Sequence, residues 1–302
     1  MQIGIDLGAT KIEYVLLDNN NKELERNRSE TPKDISQTIN LIVEIIQKLE
    51  KKYNSKFVVG ICHPGNLDSS SGLIKNAHNS TWLNNKSLIN ELKKKIDNDI
   101  FSENDANCFS LSEALDGAAR HYNCVFGIIL GSGCGGGLVI NKKIVSGANG
   151  LGGEWSLNQM PLKEIKFNID DKSQFDFSQR IEGFLSGKSI EKNFNLLFKK
   201  KLSAKDIFAK YRTKKDVDAV NFINEYKKNL ARSLVIIITT IDPDAIVFGG
   251  GVSNEIDFLD ELKNISARYL NEKNLKTVFL KPIYGDASGV RGAALLGRQN
   301  LF

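Results

Sequence analysis

The chain begins with two short apolar stretches separated by a break of small residues. Residues 3–7 and 12–17 are mostly apolar, and Gly8, Ala9 and Thr10 lie between them. Two strand-like stretches joined in this way are typical of a β-hairpin, not of a strand that leads into a helix. The sequence therefore predicts a hairpin near the N-terminus.

The same pattern returns in the middle of the chain. Residues 125–140 read VFGIILGSGCGGGLVI, which is again an apolar strand, a glycine turn and an apolar strand. The repeat indicates an internal duplication with one hairpin in each half. A chain of 302 residues also exceeds what one hydrophobic core usually supports. We therefore predict two α/β lobes, an N-terminal one over residues 1–117 with a returning helix at 288–302, and a C-terminal one over residues 118–287.

Between the hairpins, the apolar residues follow the period of a helix. Ile35, Ile39, Ile42, Ile46 and Leu49 recur at spacings of four and three, which places them on one face of an amphipathic helix. The same criteria predict strands at 56–62 and ending at 101, helices at 88–96, 217–240 and from 288 onwards, and a strand with a glycine loop within 242–253. The polar, irregular stretch 161–178 receives no assignment.

Charge and cysteine usage narrow the class of protein. Lys and Arg total 41 against 36 Asp and Glu, which gives a net charge of +5. The lysines are scattered over helical faces instead of forming one stripe, so a solvated surface is favoured over a nucleic-acid interface. The cysteines, at positions 62, 108, 124 and 134, show no CxxC spacing and are expected to be reduced thiols.

The sequence offers no candidate for crossing a membrane. No apolar run approaches the roughly 18 residues of a spanning helix, and Asp6 interrupts the only early apolar stretch. We expect a cytoplasmic protein without a targeting segment.

Two polar residues lie where a predicted strand ends. Asn104 and Asp105 follow the strand that ends at Phe101, and a helix is predicted to begin near Ala106. Open α/β sheets present ligand-binding groups at the carboxyl ends of their strands. Asp105 taken alone is equally typical of a helix N-cap, so the position allows a structural and a functional interpretation.

Each hairpin is a candidate phosphate site. A loop of small residues lets backbone N–H groups approach phosphate oxygens, and at the first hairpin Thr10 adds a hydroxyl group and Lys11 a cation. Asp6 precedes this loop and is a candidate to hold Mg²⁺ through water. One such hairpin is also consistent with an ordinary β-turn, and the second hairpin favours the phosphate interpretation.

The remaining glycine motifs favour neither a dinucleotide-binding site nor a Walker-type phosphate site. Gly131, Gly133 and Gly136 match GxGxxG, but the residues after them predict a strand where a dinucleotide fold needs a helix. The Walker pattern GxxxxGK is absent from the sequence. Residues 249–251 are glycines after a buried strand, and we interpret them as a close-approach loop beneath an adenine ring.

Six motifs in order resemble one protein family. They are DLGATK, ENDANCFSLSEA, ILGSGCGGGLV, NGLGGEW, DPDAIVFGGGVSN and GDASGVRGAA. Together they span nearly the whole chain, which resembles the ROK family of sugar kinases. KNAHNSTWLNN, Trp155 and GDASGVRGAA are most similar to bacterial fructokinases with mannokinase activity, followed by N-acetylglucosamine kinases.

The resemblance implies a fold and a reaction. The fold is the actin-like ATPase (ribonuclease H-like) fold, with two α/β lobes around a cleft. The reaction is transfer of the γ-phosphate of ATP, with Mg²⁺, to the 6-hydroxyl group of a free hexose. Fructose is the favoured substrate, and N-acetylglucosamine, glucose and mannose are alternatives. The sequence is also compatible with a homodimer.

The resemblance implies a set of site residues as well. Asp105 accepts the proton of the sugar hydroxyl group as the catalytic base. The sugar-binding residues are Asn79, Asn104, Asp105, Glu154 and Glu182. The residues around ATP are Gly4, Asp6, Gly8, Ala9, Thr10, Lys11, Ser132, Gly133, Cys134, Gly135 and Gly250, with Asp6 as the Mg²⁺ residue.

The chain departs from the family at a zinc site. Members usually bind zinc with one His and three Cys, and the corresponding positions hold Leu157, Ser173, Phe175 and Arg180. We therefore expect no zinc. The replaced His is also a sugar contact in the family, so a non-catalytic sugar-binding protein is a second interpretation.

A third interpretation is a sugar-responsive repressor of the same family. It requires a DNA-binding helix-turn-helix before the first hairpin, and the hairpin begins at Ile3. Asp105 and the two hairpins favour the kinase over both alternatives.

Overall fold

The computed structural model of the chain describes residues 1–68, 70–161 and 179–301. The strands are β1 (Gln2–Leu7), β2 (Lys11–Leu17), β3 (Glu23–Glu30), β4 (Val58–His63), β5 (Asn66–Leu67), β6 (Ile74–Lys75), β7 (Ile100–Asn104), β8 (Cys124–Leu130), β9 (Cys134–Ile140), β10 (Lys143–Ile144), β11 (Ala245–Gly249) and β12 (Val278–Leu280). The helices are α1 (Ile35–Tyr53), α2 (Leu88–Lys93), α3 (Asp105–Leu115), α4 (Glu182–Leu185), α5 (Gly187–Phe198), α6 (Ala204–Thr213), α7 (Val217–Ile241), α8 (Gly251–Glu255), α9 (Leu259–Tyr269) and α10 (Ser288–Leu295). Both predicted hairpins, β1–β2 and β8–β9, are present.

The chain divides into two compact units. The first unit comprises Met1–Gly127, Gly137–Gly153 and Pro282–Phe302, and the second comprises Ile128–Gly136 and Glu154–Lys281. The sequence predicts a boundary at Gly117, whereas this division groups residues 118–127 and 137–153 with the first unit. The returning helix α10 also belongs to the first unit.

The sheet of the first unit has the strand order β3-β2-β1-β4-β7. β1 pairs antiparallel with β2, whereas β1, β4 and β7 run parallel. Asp6 on β1 lies opposite Cys62 on β4, and Cys62 lies opposite Glu103 on β7. The carboxyl ends of the three parallel strands therefore share one edge, which carries Asp6 and Asn104.

Helices cover both faces of this sheet. The apolar face of α1 packs against alternate residues of the strands, among them Ile3, Ile5 and Ile61. On the other face α10 lies so close that a Cβ atom at Gly4 would lie 2.1 Å from the carbonyl oxygen of Val290. Gly4, predicted to lie near ATP, is thus a buried packing position.

β3 is a strand that the apolar pattern does not predict. Its sequence, ELERNRSE, is polar throughout, because it forms the edge of the sheet and is mostly exposed. Arg26 and Arg28 on β3 both donate to the carboxylate of Glu13, which is buried on β2. The polar strand is therefore held by ion pairs and by its ladder with β2.

The second five-stranded sheet has the order β10-β9-β8-β11-β12. Its hairpin β8–β9 is followed along the chain by helices, of which α7, with 25 residues, matches the predicted helix at 217–240. The side chain of Asp216 accepts from the N–H group of Ala219 and caps α7. Residues 182–213, for which no element is predicted, form α4, α5 and α6.

In the described part of the chain, no helix combines the length and the apolar character that a membrane crossing requires.

Candidate active site

The end of β7 and the start of α3 position the predicted catalytic pair. The side-chain oxygen of Asn104 accepts from the N–H groups of Ala106, at 2.8 Å, and Asn107, at 3.3 Å. Asn104 is therefore the N-cap of α3, and Asp105 is the first helical residue. The structural interpretation of Asp105 as the N-cap is wrong, because its neighbour takes that role.

The side chain of Asn104 is engaged on both sides. Its amide nitrogen donates to the carbonyl oxygen of Gly65 at 3.0 Å, and the residue is only 8% exposed. These bonds fix the turn between strand and helix. A hydrogen bond from Asn104 to a sugar stays a prediction.

Glu103 lies behind this pair and accepts three hydrogen bonds. One carboxylate oxygen accepts from the Asn104 N–H group at 2.8 Å and from the Asn107 amide at 3.2 Å. The other accepts from the hydroxyl group of Ser146 at 2.6 Å. Glu103 thus ties the start of α3 to the chain that follows β10. Sequence reasoning missed this role, although the carboxylate directly precedes Asn104.

Two carboxylates interact at the shared strand edge. Burial, and next the charge of Asp105, raise the pKa of Asp6 from 3.8 to about 6. The protein packed around Asp105 also raises its pKa, although the side chain remains open to solvent, and the N–H group of Ala106 acts in the opposite direction. Repulsion between two carboxylates of this kind is relieved when a cation binds between them.

The two thiols beside these carboxylates, those of Cys62 and Cys108, have raised pKa values. Cys62 and Cys108 are fully buried and free. A hydrogen bond between them, and burial, raise the pKa of Cys62 well above its ordinary value. Burial raises the pKa of Cys108 as well. Cys134 is also free of a disulfide bond.

The first hairpin is closed by its own backbone and held from β3. The N–H group of Gly8 donates to the carbonyl oxygen of Lys11 at 3.0 Å. Thr31, which follows β3, donates its N–H group to the carbonyl oxygen of Thr10 at 3.1 Å and its hydroxyl group to that of Gly8 at 2.9 Å. Thr10 and Lys11 are exposed, and Ala9 is half-buried. The sequence analysis did not identify Thr31.

Asn79, which is predicted to bind the sugar, lies between β6 and the next helical turn. It is exposed in the turn before the short 3-10 helix Thr81–Leu83. No hydrogen bond joins its side chain to Asn104 or Asp105 among the described contacts.

The second hairpin is held by side chains that follow it in sequence. The indole N–H group of Trp155 donates to the carbonyl oxygen of Gly135, and the hydroxyl group of Ser156 to that of Cys134, both at 2.9 Å. The N–H group of Gly187 donates to the carbonyl oxygen of Gly131 at 2.7 Å. Trp155, which the sequence associates with substrate choice, is thus a hairpin contact.

Glu182 lies directly against the second hairpin. Its carboxylate accepts from the N–H group of Cys134 at 3.3 Å, and a Cβ atom at Gly133 would lie 2.7 Å from the same oxygen. The structure therefore brings Glu182 together with Gly133 and Cys134. Ser132 is exposed at the hairpin tip, and Glu154 is half-buried beside Trp155.

The loop after β11 also approaches this hairpin. Gly250 has a φ of +87°, and a Cβ atom there would lie 2.5 Å from the carbonyl oxygen of Leu130 at the end of β8. Only glycine fits such a position without strain. The predicted close-approach loop therefore exists, with Gly251 beginning α8.

Of the four positions that correspond to the zinc ligands of the family, the structure describes Leu157 and Arg180. Backbone hydrogen bonds join the two segments next to these residues. Met160 N–H donates to the carbonyl oxygen of Gln179 at 2.8 Å, and Ile181 N–H to that of Asn158 at 2.9 Å. Leu157 is 38% exposed. Ser173 and Phe175, and the predicted packing of Phe175 and Phe177, lie outside the described residues.

Comparisons with known proteins agree with the motifs. The model of the ROK family matches residues 2–300. An N-acetyl-D-glucosamine kinase of Mannheimia succiniciproducens is 38% identical over 98% of this chain and 99% of that protein. Another, from Histophilus somni, is 36% identical over 98% of each chain.

A solved structure shows the fold. The crystal structure of a ROK hexokinase from Thermus thermophilus matches with a TM-score of 0.85 at 23% identity, over 99% of this chain and 98% of that one. The actin-like ATPase fold implied by the motifs is thereby confirmed. The chain belongs to the ROK family, among its sugar kinases.

Proposed function

We propose that the protein transfers the γ-phosphate of ATP to the primary hydroxyl group of N-acetyl-D-glucosamine. One observation supports the reaction. Asp105 begins α3 directly after β7, and β7 belongs to the same sheet as the hairpin β1–β2, whose first strand carries Asp6. The kinases named above, at 38% and 36% identity, support the substrate.

Fructose is the second candidate substrate. It is favoured by the resemblance of the segment around Asn79 and of Trp155 to fructokinases. The indole N–H group of Trp155 donates to the carbonyl oxygen of Gly135. Trp155 is therefore weaker evidence for the identity of the sugar. The motifs favour fructose, with N-acetyl-D-glucosamine as an alternative. Because the relatives named above are N-acetyl-D-glucosamine kinases, we propose N-acetyl-D-glucosamine as the preferred substrate.

The proposed chemistry follows from the position of Asp105. A carboxylate that is open to solvent and has a raised pKa is a better proton acceptor than an ordinary aspartate. Asp105 accepts the proton of the sugar hydroxyl group while the oxygen of that hydroxyl group attacks the γ-phosphorus. The bond from that phosphorus to the β,γ-bridging oxygen breaks, and ADP leaves with the bonding pair.

The residues present fit a divalent cation at Asp6. Burial, and next the charge of Asp105, raise the pKa of Asp6, and a carboxylate in this setting is stabilised by a nearby cation. Mg²⁺ accepts carboxylate and water oxygens as ligands. We assign Asp6 to hold Mg²⁺ through water. Bound Mg²⁺ supplies neutralisation of phosphate charge.

The hairpins bind the phosphates in this proposal. Backbone N–H groups at Gly8–Lys11 and at Ser132–Gly135 are the donors that we assign to phosphate oxygens, and Gly250 is assigned to the adenine ring. Glu154 and Glu182 bind hydroxyl groups of the sugar. The bond from Cys134 to Glu182 supports a role in which Glu182 is positioned by the phosphate hairpin.

A coupled assay of ADP release over a panel of hexoses tests the proposal. We expect the largest kcat/KM for N-acetyl-D-glucosamine. A larger value for fructose would return the assignment to fructokinase. Binding of sugar without ADP release from any hexose would favour the non-catalytic alternative.

A further inference from the structure

The first hairpin is held by a residue that no motif identifies. Thr31 is 7% exposed and follows the polar edge strand β3. Its hydroxyl group reaches back across 23 residues to donate to the carbonyl oxygen of Gly8 at 2.9 Å. Its N–H group donates to the carbonyl oxygen of Thr10. The hairpin is thus bound on one side by two bonds from one residue.

These bonds fix the direction of a backbone donor. The C=O and N–H groups of a trans peptide point in opposite directions, and the Gly8 C=O group points to the Thr31 hydroxyl group. The N–H group of Ala9, in the same peptide, therefore points away from Thr31. It makes no hydrogen bond with the residues that the structure describes, so it is available to a ligand.

We propose that Thr31 is a positioning residue for nucleotide phosphates. Its hydroxyl group holds the Gly8–Ala9 peptide so that the Ala9 N–H group is presented to a phosphate oxygen. The second hairpin has a parallel arrangement, in which the buried hydroxyl group of Ser156 holds the carbonyl oxygen of Cys134. The inference rests on the proposed kinase function and adds a residue that acts on ATP affinity without touching ATP.

Two substitutions at Thr31 separate the hydroxyl group from the shape of the side chain. Thr31→Val keeps the branched shape and the backbone bond but removes the donor to Gly8, and Thr31→Ser keeps the donor. Thr38→Val is the matched control. Thr38 is also buried, and its hydroxyl group also donates to a backbone carbonyl, that of Pro32, at 2.9 Å.

The experiment compares the affinities for Mg-AMPPNP, which carries three phosphate groups, and adenosine, which carries none. We expect Thr31→Val to bind Mg-AMPPNP about fivefold more weakly, the scale of one hydrogen bond, with adenosine affinity unchanged. Thr31→Ser and Thr38→Val are expected to keep the ratio of wild type. An equal loss for both ligands, or no loss for either, overturns the proposal.

A measurement on wild type covers the case in which Thr31→Val does not fold. The amide resonance of Ala9 is expected to shift on addition of Mg-AMPPNP and not of adenosine, and an unmoved resonance overturns the proposal. If wild type binds Mg-AMPPNP no more tightly than adenosine, the phosphate site itself fails, and the proposed function fails with it. If wild type shows the preference and Thr31→Val retains it, only the role of Thr31 fails.

Discussion

At the scale of single residues, the chemistry depends on how one carboxylate is presented. Asp105 occupies the first turn of α3, while Asn104 satisfies the N–H groups of that turn. Asn104 is the N-cap of α3, and the carboxylate of Asp105 stays open to solvent. A residue that the fold does not need as a cap is free to accept a proton.

The first prediction removes the proposed base. Asp105→Asn keeps the size of the side chain and an acceptor for the Ala106 N–H group, but an amide does not accept the proton. We expect kcat to fall by roughly 10² or more, the contribution of a positioned base, with sugar and nucleotide affinities retained in calorimetry. A variant that keeps more than about a tenth of the activity would exclude Asp105 as the base.

The second prediction concerns the raised pKa of Asp6, which is about 6 in the folded protein against an ordinary 3.8. Between these values the folded state binds the proton more tightly than the unfolded state, so the free energy of unfolding falls as pH rises through this window. Asp6→Asn carries no charge and escapes this loss. We expect the variant to be more stable than wild type at pH 8, by about 3 kcal/mol, while losing activity.

Urea unfolding without Mg²⁺, repeated between about pH 8 and pH 4, measures this difference. The advantage of Asp6→Asn is expected to shrink as the pH falls through about 6 towards 4, because wild-type Asp6 is then protonated as well. A difference that does not change with pH would contradict the linkage to Asp6.

The sequence points to Asp105 and Asp6 for local reasons. Each stands next to the end of an apolar stretch, and this position is visible without a structure. Their interaction is not visible, because it depends on the register of β1, β4 and β7 across 99 positions of chain. The role of Thr31 depends in the same way on the pairing of β2 with β3.

At the scale of elements, the carboxylate of Glu103 joins β7, α3 and the chain after β10. It accepts from the backbone of Asn104 and from the hydroxyl group of Ser146 at 2.6 Å. The start of α3 is therefore braced by a segment more than 40 residues later in the chain. Such a brace limits the motion of the helix that carries Asp105.

The third prediction tests this brace by a double-mutant cycle. Glu103→Gln and Ser146→Ala are each expected to lower kcat/KM severalfold. Because they affect one shared bond, the double variant is expected to lose less than the product of the two, with a coupling of about 1 kcal/mol. Steady-state kinetics of the four proteins measures it, and independent, multiplying effects would show that the bond does not serve activity.

Two short segments lie next to positions that correspond to the zinc ligands of the family. Residues 158–160 and 179–181 are joined by backbone hydrogen bonds and by a bridge between Gln159 and Arg180. Leu157 offers no donor atom to a metal, and Arg180 carries a positive charge. We propose that these backbone bonds hold together the two ends of the segment 161–178 in the absence of a metal.

The fourth prediction is therefore that the protein purified without chelator contains no zinc. Elemental analysis checks it directly. A strong zinc chelator, with Mg²⁺ in excess, is expected to leave activity and Tm unchanged. About one zinc per chain would contradict the prediction and would require ligands outside the usual Cys and His set.

Elements were predictable where burial imposes a period. α1 has one buried face, and its predicted residues Ile39, Ile42 and Ile46 are buried. β3 has no buried face and gives no alternation, so it was missed. The boundary of β7 was also missed, because Ser102–Asn104 continue the strand although they are polar.

At the scale of the whole molecule, the two ends of the chain are joined within the first unit. Residues Pro282–Phe302 group with Met1–Gly127. Glu113 on α3, fully buried, accepts from the hydroxyl group of Ser288 at 2.7 Å. The helix that begins with Asp105 is thus held by the last helix, and the motif GDASGVRGAA, which sequence reasoning used only to identify the family, forms this contact.

Arg291 is the charged member of this contact and is 5% exposed. Its guanidinium group donates to the carboxylate of Asp116 at 2.5 Å and to the carbonyl oxygen of Asn21 at 2.9 Å. The ring of Tyr284 lies 3.9 Å from its central carbon. Removing one partner of such a buried pair leaves a charge without compensation.

The last prediction is that Arg291→Met destabilises the first unit by about 3 kcal/mol, the lower end of the cost of breaking a buried ion pair, because the Asp116 side chain is 21% exposed and still accepts from the hydroxyl group of Tyr284. The chain has two tryptophans, and Trp82 lies in the first unit while Trp155 lies in the second. Urea unfolding followed by fluorescence in a Trp155→Phe background therefore reports on the first unit.

Two further variants make this measurement specific. Arg212→Met breaks an exposed pair with Glu255, in which the arginine side chain is 39% exposed, and is expected to cost less than about 1 kcal/mol. Adding Asp116→Leu to Arg291→Met removes the unpaired carboxylate, so we expect part of the lost stability to return. If Arg291→Met cost no more than Arg212→Met, the joining of the chain ends would depend on apolar packing of α10 and not on this ion pair.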